Sequence, residues 1–256
     1  MAIVNSKQRP WLRGDKAPYH GKDPWYYDPS EFPWVEQVEA QWQVIRDELL
    51  AVIEQDRATL EPYKDLAMTD KKDAWKTAGL MYWTFESDRN IAKFPKTWAI
   101  IKDIPNLSSL SLLALEGGSS VKPHRGDTNA MIRCHMGLVV PAKAPKCGLR
   151  VGNQTKSWEE GRIFMFNDAH EHTAWNNTDQ CRYILSFDVM QPQYVKYKNW
   201  VSVRVLGRIF LEVTYQNHMW LWHRFGNNIG HRILLAGSNT LFRTLKFLRL
   251  PLYNLL

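Results

Sequence analysis

The sequence contains few cysteines and no long apolar run. Only three of the 256 residues are cysteine (Cys134, Cys147 and Cys181), and no two of them form a CxxC pair. Their odd number argues against a zinc ribbon or a disulfide scaffold and fits a reducing compartment. No uncharged apolar stretch approaches the roughly 18 residues that span a bilayer, and the N-terminal residues lack the apolar core of a secretory signal. We therefore expect a cytoplasmic protein that is soluble or peripheral on a membrane.

Acidic residues are scarce in the last part of the chain. Residues 201–256 contain seven lysines or arginines and one acid, Glu212, which gives a net charge of +6. The whole chain carries +7, so the other 200 residues account for only +1 (7 − 6). The basic excess therefore belongs to the C-terminal segment.

Tryptophan and helical periodicity mark the N-terminal part. Several of the twelve tryptophans fall within the first 45 residues, and such large rings usually act as buried anchors. Residues 1–30 are therefore predicted to wrap irregularly against the main domain. Capping residues from Asp28 to Ser30 precede apolar residues at helical spacing, which predicts one long amphipathic helix at about 31–55. A second helical region is predicted at about 88–103, broken near Pro95.

Short segments rich in β-branched and aromatic residues follow Pro105. We predict strands at 108–116, 129–140, 148–153, 161–167, 170–176 and 181–190. Closely spaced short strands separated by turn residues predict a sandwich or jelly roll, so the expected class is mainly β with flanking helices. The predicted division is an N-terminal segment and helix (1–60), a β domain (61–200) and a basic, amphipathic helical tail (201–256).

Two of the predicted strands place charged side chains on one face. Side chains alternate along a strand, so Arg133 and His135 point one way in AMIRCHMGLVV. In CRYILSFDV, Arg182 shares a face with Ser186 and Asp188. A small barrel with such a polar interior is usually a binding site, because unpaired buried charge costs several kcal/mol.

Two histidines from separate segments are candidate metal ligands. His124 lies in the predicted turn KPHRGDTN, and His172 lies in HEHTAW, where His170 is on the same side of the predicted strand. Imidazole suits iron, zinc and copper. The usual non-haem iron pattern has a carboxylate two residues after the first histidine, but Gly126 stands there and Asp127 is one position further on. The sequence therefore lacks the third protein ligand at its usual place, and it does not decide whether water or another ligand takes that place.

Each of these residues also has an ordinary structural interpretation. A lone histidine is more often a hydrogen-bonded polar residue than a ligand, and Arg182 could pair with an acid such as Asp168 or Asp188. Trp158 is interpreted as a packing residue, and His170 as either a partner of the neighbouring ligand or a residue at the rim. Only the combination points to a site.

In combination, five segments resemble the aspartyl/asparaginyl β-hydroxylase family in order and spacing: KPHRGDTN, IRCHMGLVVP, GLRVGNQTKSWEEG, FMFNDAHEHTAWN and CRYILSFDVMQP. The resemblance covers about residues 105–192 closely. It implies a double-stranded β-helix, which is a jelly-roll or cupin-like fold, and the use of iron(II), 2-oxoglutarate and dioxygen. Some family members hydroxylate Asp or Asn side chains in proteins, and close relatives hydroxylate lipid acyl chains.

The resemblance also implies roles for individual residues. By position, His124 and His172 match the iron ligands and are the predicted catalytic residues, and glycine at 126 follows the family pattern. His135 and Arg182 match the residues that hold the 2-oxoglutarate carboxylates, and arginine suits this task because it can clamp a carboxylate with two hydrogen bonds.

Two further positions concern the substrate and the cosubstrate. Arg133 matches a position that contacts the acidic group of the substrate in the protein-modifying members. Those members also use a hydroxyl residue on the strand before the iron-binding turn, but the matching stretch SLLALEGG has Leu113 or Ala114 near that place. The sequence thus departs from the pattern on one side of the expected cosubstrate site.

The tail suggests where a substrate is found. In NTLFRTLKFLRLPLYNLL, one predicted stripe carries Leu241, Leu245, Leu248 and Leu252, and another carries Arg243, Lys246 and Arg249. A basic amphipathic helix can lie on an anionic membrane, and the alternative is a helix packed on the domain with a solvated basic face. The many leucines do not suit a nucleic-acid-binding arm.

Three hypotheses of function follow. The first is an iron(II)- and 2-oxoglutarate-dependent dioxygenase that hydroxylates a membrane lipid acyl chain, which fits the tail. The second is a hydroxylase of Asp or Asn side chains in a protein or peptide, which fits Arg133. The third is a non-catalytic metal-binding barrel with a membrane-associating tail, and the retention of both candidate ligands and both cosubstrate residues disfavours it.

Overall fold

The computed structural model describes residues 9–14, 18–63, 68–226 and 229–250. Its helices are α1 (Trp34–Glu39), α2 (Trp42–Gln55), α3 (Asp88–Lys93), α4 (Pro95–Ile101), α5 (Lys198–Asn217), α6 (Met219–Phe225) and α7 (Ile229–Phe247). Its strands are β1 (Tyr26–Tyr27), β2 (Glu61–Pro62), β3 (Trp75–Tyr82), β4 (Phe85–Glu86), β5 (Leu107–Leu115), β6 (Ser119–His124), β7 (Met131–Val139), β8 (Cys147–Val151), β9 (Gln154–Lys156), β10 (Ile163–Phe166), β11 (His172–Asn176) and β12 (Arg182–Met190).

Two antiparallel sheets form the β-structure. The larger has the order β1-β10-β7-β12-β5-β3-β2, with β4 paired to β3, and the smaller has the order β6-β11-β8-β9. One apolar cluster contains side chains of both sheets, among them Val151 and Ala174 of the smaller and Phe166 and Ile184 of the larger. The sheets therefore face each other, and the predicted jelly-roll fold, mainly β with flanking helices, is confirmed.

Alternation along β7 assigns its two faces as predicted. Ile132, Cys134 and Met136 belong to an apolar cluster that also contains residues of α1, α2 and α4, on the outer face of the larger sheet. Arg133 and His135 point the other way, toward the smaller sheet. The helices thus cover the apolar outer face of the sheet and leave its polar inner face to the site.

The single long helix predicted at 31–55 is wrong. A 3-10 turn at Pro29–Glu31 is followed by two helices, α1 and α2, separated at Gln41, whose φ of −109° and ψ of 11° are not helical. Glu39 accepts a hydrogen bond from the Ile163 backbone N–H at 2.7 Å, and Trp42 packs against Gly161. Contacts to the sheet on both sides of the break therefore override the continuous apolar periodicity.

The strand that carries His124 was predicted as a turn. His124 is the last residue of β6, an edge strand of the smaller sheet. The sequence SSVKPH has one large apolar residue, Val121, and its Pro123 is tolerated because an edge strand needs fewer backbone donors. Strand β3 was also missed, whereas the six predicted strands and the helical region broken near Pro95 are confirmed within a few residues.

The described part of the N-terminal segment packs on the barrel, as predicted. Trp11 donates its backbone N–H to Asn129 at 2.7 Å, Leu12 forms a bridge to Thr128, and β1 adds to the edge of the larger sheet. Residues 1–8 and 15–17 of that segment lie outside the described residues.

The C-terminal segment is helical, but the predicted leucine stripe is wrong. Leu245 is half-buried against α5, and Leu248 follows the end of α7. Lys246 is half-buried and contacts Thr84, so it does not lie on a solvated basic face. Leu252 lies outside the described residues. Of the helices in the described ranges, none has the length and apolar character needed to cross a bilayer.

Candidate active site

Antiparallel pairing of β6 with β11 brings His124 and His172 together. The two residues are direct partners in the register, and their ring centroids lie 4.1 Å apart. The His124 Nδ1 lies 2.8 Å from the Lys122 carbonyl oxygen, and the His172 Nδ1 lies 2.9 Å from the His170 carbonyl oxygen. A carbonyl oxygen only accepts, so each Nδ1 carries the proton and each Nε2 keeps a free lone pair. Backbone hydrogen bonds of this kind orient metal-binding imidazoles.

Burial keeps both imidazoles neutral. It lowers the pKa of His124, and it lowers the pKa of His172 well below its usual range, with the neighbouring His124 adding to the second shift. Neutral imidazole is the form that binds a metal ion. Within the described ranges no group of three His, Cys, Asp or Glu side chains comes together as a metal site. The two histidines therefore form a ligand pair that can hold a metal ion and leave its other positions open.

The Asp168 carboxyl group occupies the place where a side chain of residue 126 would begin. A Cβ added to Gly126 would lie 2.3 Å from the Asp168 Cγ, and the Gly126 N–H donates to the Asp168 carbonyl oxygen at 2.6 Å. Glycine is needed at 126 because the backbone of the turn passes this close to Asp168. Asp127 is directed elsewhere, since it forms an ion pair with Arg208 of α5.

Arg133 is held between two carboxylates of its own chain. Its Nη1 lies 2.9 Å from an Asp168 oxygen, and its Nε and Nη2 contact the two oxygens of Asp188 at 2.8 and 3.0 Å. Burial raises the pKa of Asp168 against the opposing charge of Arg133, and the Asp188 carboxylate adds to the rise. One cation thus serves two buried acids. The sequence offered these acids as partners for Arg182, but the structure gives them to Arg133.

Arg182 and His135 meet at Trp158. The Arg182 guanidinium carbon lies 4.4 Å from the centre of the Trp158 ring, and the His135 ring stacks on the same indole with 6.2 Å between centroids. All three side chains are buried. Among the described residues, His135 Nδ1, Arg182 Nε and Trp158 Nε1 are buried nitrogens without a hydrogen-bond partner.

The chemistry of these three residues fits a bound carboxylate. Arg182 is 2% exposed and forms no ion pair within the described residues. Burial lowers the pKa of Arg182 to about 10, so the guanidinium keeps its charge at neutral pH. A buried cation without an acid is unfavourable unless a ligand supplies the negative charge. Unpartnered donors on Arg182, His135 and Trp158 are therefore suited to the carboxylate of a cosubstrate such as 2-oxoglutarate.

The strand on the other side of Arg182 confirms the departure seen in the sequence. Leu113 of β5 packs with the apolar cluster between the sheets, whereas Ala114 belongs to the cluster under the helices. The interior position is thus Leu113, which offers no hydroxyl group.

His170 contributes to the site through its backbone. Its carbonyl oxygen orients His172, while its ring contacts Tyr19 at 5.1 Å between centroids and its Nε2 lies 2.8 Å from the Asp23 carbonyl oxygen. The two rings therefore have different partners, although the alternation placed them on one side. Trp25 also contacts His170, at 6.4 Å between centroids, so the N-terminal segment covers this side of the metal-binding turn.

Sequence reasoning missed Trp158 and Asp168 as parts of the site. Trp158 lies in the loop between β9 and β10, where no periodicity assigns a face. Asp168 lies four residues before His172, and its approach to Gly126 depends on a contact between distant segments. The glycine at 126 was the available signal, because a missing side chain can mark a close approach of another group.

Comparisons with known proteins agree on the family. The family model described as aspartyl/asparaginyl β-hydroxylase matches residues 39–192, more than half of the chain. The Rhizobium tropici protein named ornithine lipid ester-linked acyl 2-hydroxylase is 34% identical over 204 residues, which cover 77% of this chain and 72% of that protein. The Homo sapiens aspartyl/asparaginyl β-hydroxylase is 32% identical over 178 residues, which cover 66% of this chain and 23% of that protein.

Similarity to solved structures is more remote. A Pseudomonas putida prolyl-4-hydroxylase aligns with a TM-score of 0.38 and 12% identity, covering 61% of this chain and 99% of that one. Such a distant likeness does not bear on function. The family model, in contrast, extends over the strands that carry the paired histidines, Arg133 and Arg182. The chain belongs to the aspartyl/asparaginyl β-hydroxylase family.

Proposed function

We propose that this protein is an iron(II)- and 2-oxoglutarate-dependent dioxygenase that hydroxylates the acyl chain of a membrane lipid. One observation carries the proposal: two neutral histidines with free Nε2 atoms share an interior with a buried arginine that has no acid partner among the described residues. The histidine pair can bind a redox metal, and the buried arginine can bind a carboxylate of a dicarboxylate cosubstrate. When bound, iron(II), 2-oxoglutarate and dioxygen supply the oxidation of an unactivated C–H bond.

The residues of the chain bind and orient the reactants. His124 and His172 would hold the metal through Nε2, and their Nδ1 hydrogen bonds to the backbone fix the ring planes. Arg182 would clamp a cosubstrate carboxylate, with His135 and Trp158 offering further N–H donors. The aromatic residues around His135, among them Phe166 at 5.0 Å between centroids, would shield a cosubstrate bound there from water.

Two observations favour a lipid over an acidic side chain as the substrate. The relative whose length this chain largely covers is named as an acyl hydroxylase of ornithine lipid. In addition, Arg133, which would grip a substrate carboxylate, already binds Asp168 and Asp188. A third carboxylate would have to compete with two that are covalently fixed in place.

Hydroxylation of an Asp or Asn side chain is the second candidate. The side chain of Arg133 remains 27% exposed, so its two acids do not enclose it completely. The human relative named for that activity is 32% identical over the shared region, although this chain spans only 23% of its length.

The test of substrate class is a comparison of intact lipids from cells that express the protein and cells that express His124→Ala at the same level. We expect a lipid species that gains the mass of one oxygen only with the unaltered protein, because His124→Ala removes one of two metal ligands. Identical lipid spectra would contradict the lipid substrate. Acidic and amidated peptides would then be assayed with purified protein, with Arg133→Lys as the variant that tests the second candidate.

The cofactor requirement has a separate test. Without oxygen, purified protein titrated with iron(II) and then 2-oxoglutarate should develop a visible charge-transfer band, and Arg182→Met should weaken it at limiting 2-oxoglutarate. Metal binding without any such band would favour the non-catalytic metal-binding barrel instead.

A further inference from the structure

Exposed large apolar side chains are concentrated at the C-terminal end of the protein. Twelve large hydrophobic residues are exposed among those that the structure describes, and nine of them lie within residues 219–250. Only Val44, Leu50 and Val195 lie elsewhere. A soluble protein seldom exposes a contiguous apolar area unless that area binds something. The surface of α6 and α7 is therefore a candidate interaction site.

The outer face of α7 is apolar along its length. Ile229, Ile233 and Phe247 are 69%, 66% and 85% exposed. At 3.6 residues per turn, the intervals of four and fourteen residues place the three side chains on one face. The exposed Ala236 and Thr240 lie on the same line. No charged residue interrupts it.

The opposite face of α7 already holds the helix on the protein. Phe242 is fully buried and Ser238 is 7% exposed. Phe242 packs in one cluster with Val201, Val205 and Leu206 of α5. The packing of α7 is thus complete without its outer face, so the exposed isoleucines and Phe247 have no role in that packing.

The charge carried by α6 and α7 themselves is entirely positive. After Glu212 the sequence contains no acidic residue, but it contains five arginines or lysines. Two of them, Arg232 and Arg243, are exposed and lie beside the apolar line of α7. An apolar strip with a basic flank complements a bilayer that contains anionic lipid, because the side chains enter the acyl region while the guanidinium groups meet phosphates.

We propose that α6 and the outer face of α7 form a docking surface for an anionic lipid bilayer. Ile233 and Phe247 enter the interfacial region together with Trp220, which is 63% exposed and of a type that favours this depth. A second copy of the chain is a poorer occupant, since it would bring two sets of positive charges against each other.

The docking surface is joined to the metal-binding turn. Arg208 of α5 forms an ion pair with Asp127, three residues after His124, and α7 packs on α5. At its other end, Lys246 of α7 contacts Thr84. Docking would therefore hold the candidate active site in a defined position relative to the bilayer. That consequence rests on the proposed lipid substrate, whereas docking itself does not.

The test is sedimentation of the full-length protein with vesicles of phosphatidylcholine, with and without phosphatidylglycerol. We expect binding that requires phosphatidylglycerol and weakens at high ionic strength. The double variant Ile233→Glu/Phe247→Glu should lower the partition coefficient at least about tenfold. Its matched control, Val44→Glu/Leu50→Glu, adds the same charges to exposed apolar positions on α2 and should bind like the unaltered protein.

Charge reversal tests the basic flank separately. Arg232→Glu/Arg243→Glu should weaken binding by more than about 25-fold, since each basic residue near an anionic surface contributes roughly fivefold and each new carboxylate is repelled as well. The matched control Arg57→Glu/Lys72→Glu changes the net charge equally at exposed positions outside the tail. An equal effect of both pairs, or equal binding to vesicles without phosphatidylglycerol, would overturn the proposal. The proposal would also be overturned if the protein bound no vesicles, had twice the mass of one chain in solution, and returned to the mass of one chain in Phe247→Glu. The surface would then bind a second copy of the chain.

Docking and catalysis can fail independently. His124→Ala should sediment with vesicles like the unaltered protein, because it changes only the metal site. Ile233→Glu/Phe247→Glu should convert 2-oxoglutarate at the normal rate with detergent-dispersed lipid. If the protein binds vesicles but hydroxylates no lipid, the docking surface stands and the proposed function is refuted. If it hydroxylates lipid but binds no vesicles, only the docking surface is refuted.

Discussion

Two arginines on adjacent strands of the larger sheet face the same interior and are compensated in opposite ways. Arg133 on β7 contacts two carboxylates, Asp168 and Asp188, within 3.0 Å. Arg182 on β12 is more deeply buried and has no ion pair within the described residues, only the face of Trp158. A cation–π contact offsets part of the desolvation of a guanidinium, but less than a carboxylate does.

The difference separates a structural cation from a ligand-binding one. The interior around Arg133 is electrostatically complete and even carries an excess of acid. Among the described residues, none supplies a negative charge to Arg182, and a bound dicarboxylate would supply it. Removal of Arg133 should therefore mainly lower stability, and removal of Arg182 should mainly lower the affinity for 2-oxoglutarate.

The largest effect is expected on stability from Arg133→Met. The change leaves Asp168 and Asp188 buried without their cation, and breaking a buried pair in this way lowers the free energy of unfolding by about 3–5 kcal/mol. Urea unfolding followed by circular dichroism would measure it. The control is Arg162→Met. Arg162 forms an ion pair with Glu39 and is 70% exposed, so its loss should lower the free energy of unfolding by less than about 1 kcal/mol.

Adding Asp168→Asn to Arg133→Met should restore part of the loss, since one buried charge disappears. If Arg133→Met were as stable as Arg162→Met, Arg133 would not be the structural cation of the interior.

The next largest effect is expected on cosubstrate affinity from Arg182→Met. Loss of the clamp should weaken 2-oxoglutarate binding about 100-fold, because a charged hydrogen bond contributes roughly 1.5–3 kcal/mol. The ligand-free variant should unfold within about 1 kcal/mol of the unaltered protein, since relief of desolvation offsets the lost contact with Trp158. Isothermal titration and urea unfolding give the two quantities. A large loss of stability with unchanged affinity would reverse the roles assigned to the two arginines.

The sequence predicted which residues line the interior better than it predicted how they pair. Alternation placed Arg133, Asp188 and Arg182 on inward faces correctly, because side-chain period depends only on local geometry. It could not provide the register between strands. In the structure Arg133 is the direct partner of Asp188, whereas Arg182 lies opposite Leu115, so the acids available to Arg182 in the sequence belong to Arg133.

Elements set by distant contacts were the least predictable. The break at Gln41 depends on contacts with the β10 region, and β6 lacks apolar alternation because it is a polar edge strand. The inward position of Trp158 follows from a loop that no periodic rule describes. Local patterns therefore predicted six of the strands and pointed to both candidate metal ligands, while β3, β6 and the surroundings of those ligands required the tertiary structure.

A smaller effect is expected from Trp158→Phe, which refines the contrast between the arginines. Phenylalanine keeps an aromatic face beneath Arg182 but removes the buried Nε1 donor. If that N–H binds a carboxylate of the cosubstrate, affinity for 2-oxoglutarate should fall about tenfold, because a hydrogen bond to a charged group contributes at least roughly 1.5 kcal/mol. Unchanged affinity in a folded variant would make Trp158 a packing residue alone, as the sequence suggested. Unfolding in urea serves as the control for the smaller ring.

The paired histidines show a third response to burial, which is to remain uncharged. Burial lowers the pKa of His124 and, more strongly, of His172, so protons compete with a metal ion only at a lower pH than they would for exposed imidazoles. Two imidazoles with an ordinary pKa of about 6.5 would lose roughly 14-fold in metal affinity between about pH 7.5 and pH 6.0. The pH dependence expected for this protein is compared with this loss, and it is the smallest of the predicted effects.

Because the pKa shifts are downward, both rings take up fewer protons in that range than exposed imidazoles would, and the affinity for cobalt(II), a stable substitute for iron(II), should fall by much less than that roughly 14-fold loss. Isothermal titration at the two pH values measures it, with His124→Ala as the control that loses the site. A decline of tenfold or more would mean that the imidazoles titrate as exposed groups do. Burial would then not keep the two histidines unprotonated in the metal-free protein, and they would lose their protons only when the metal binds.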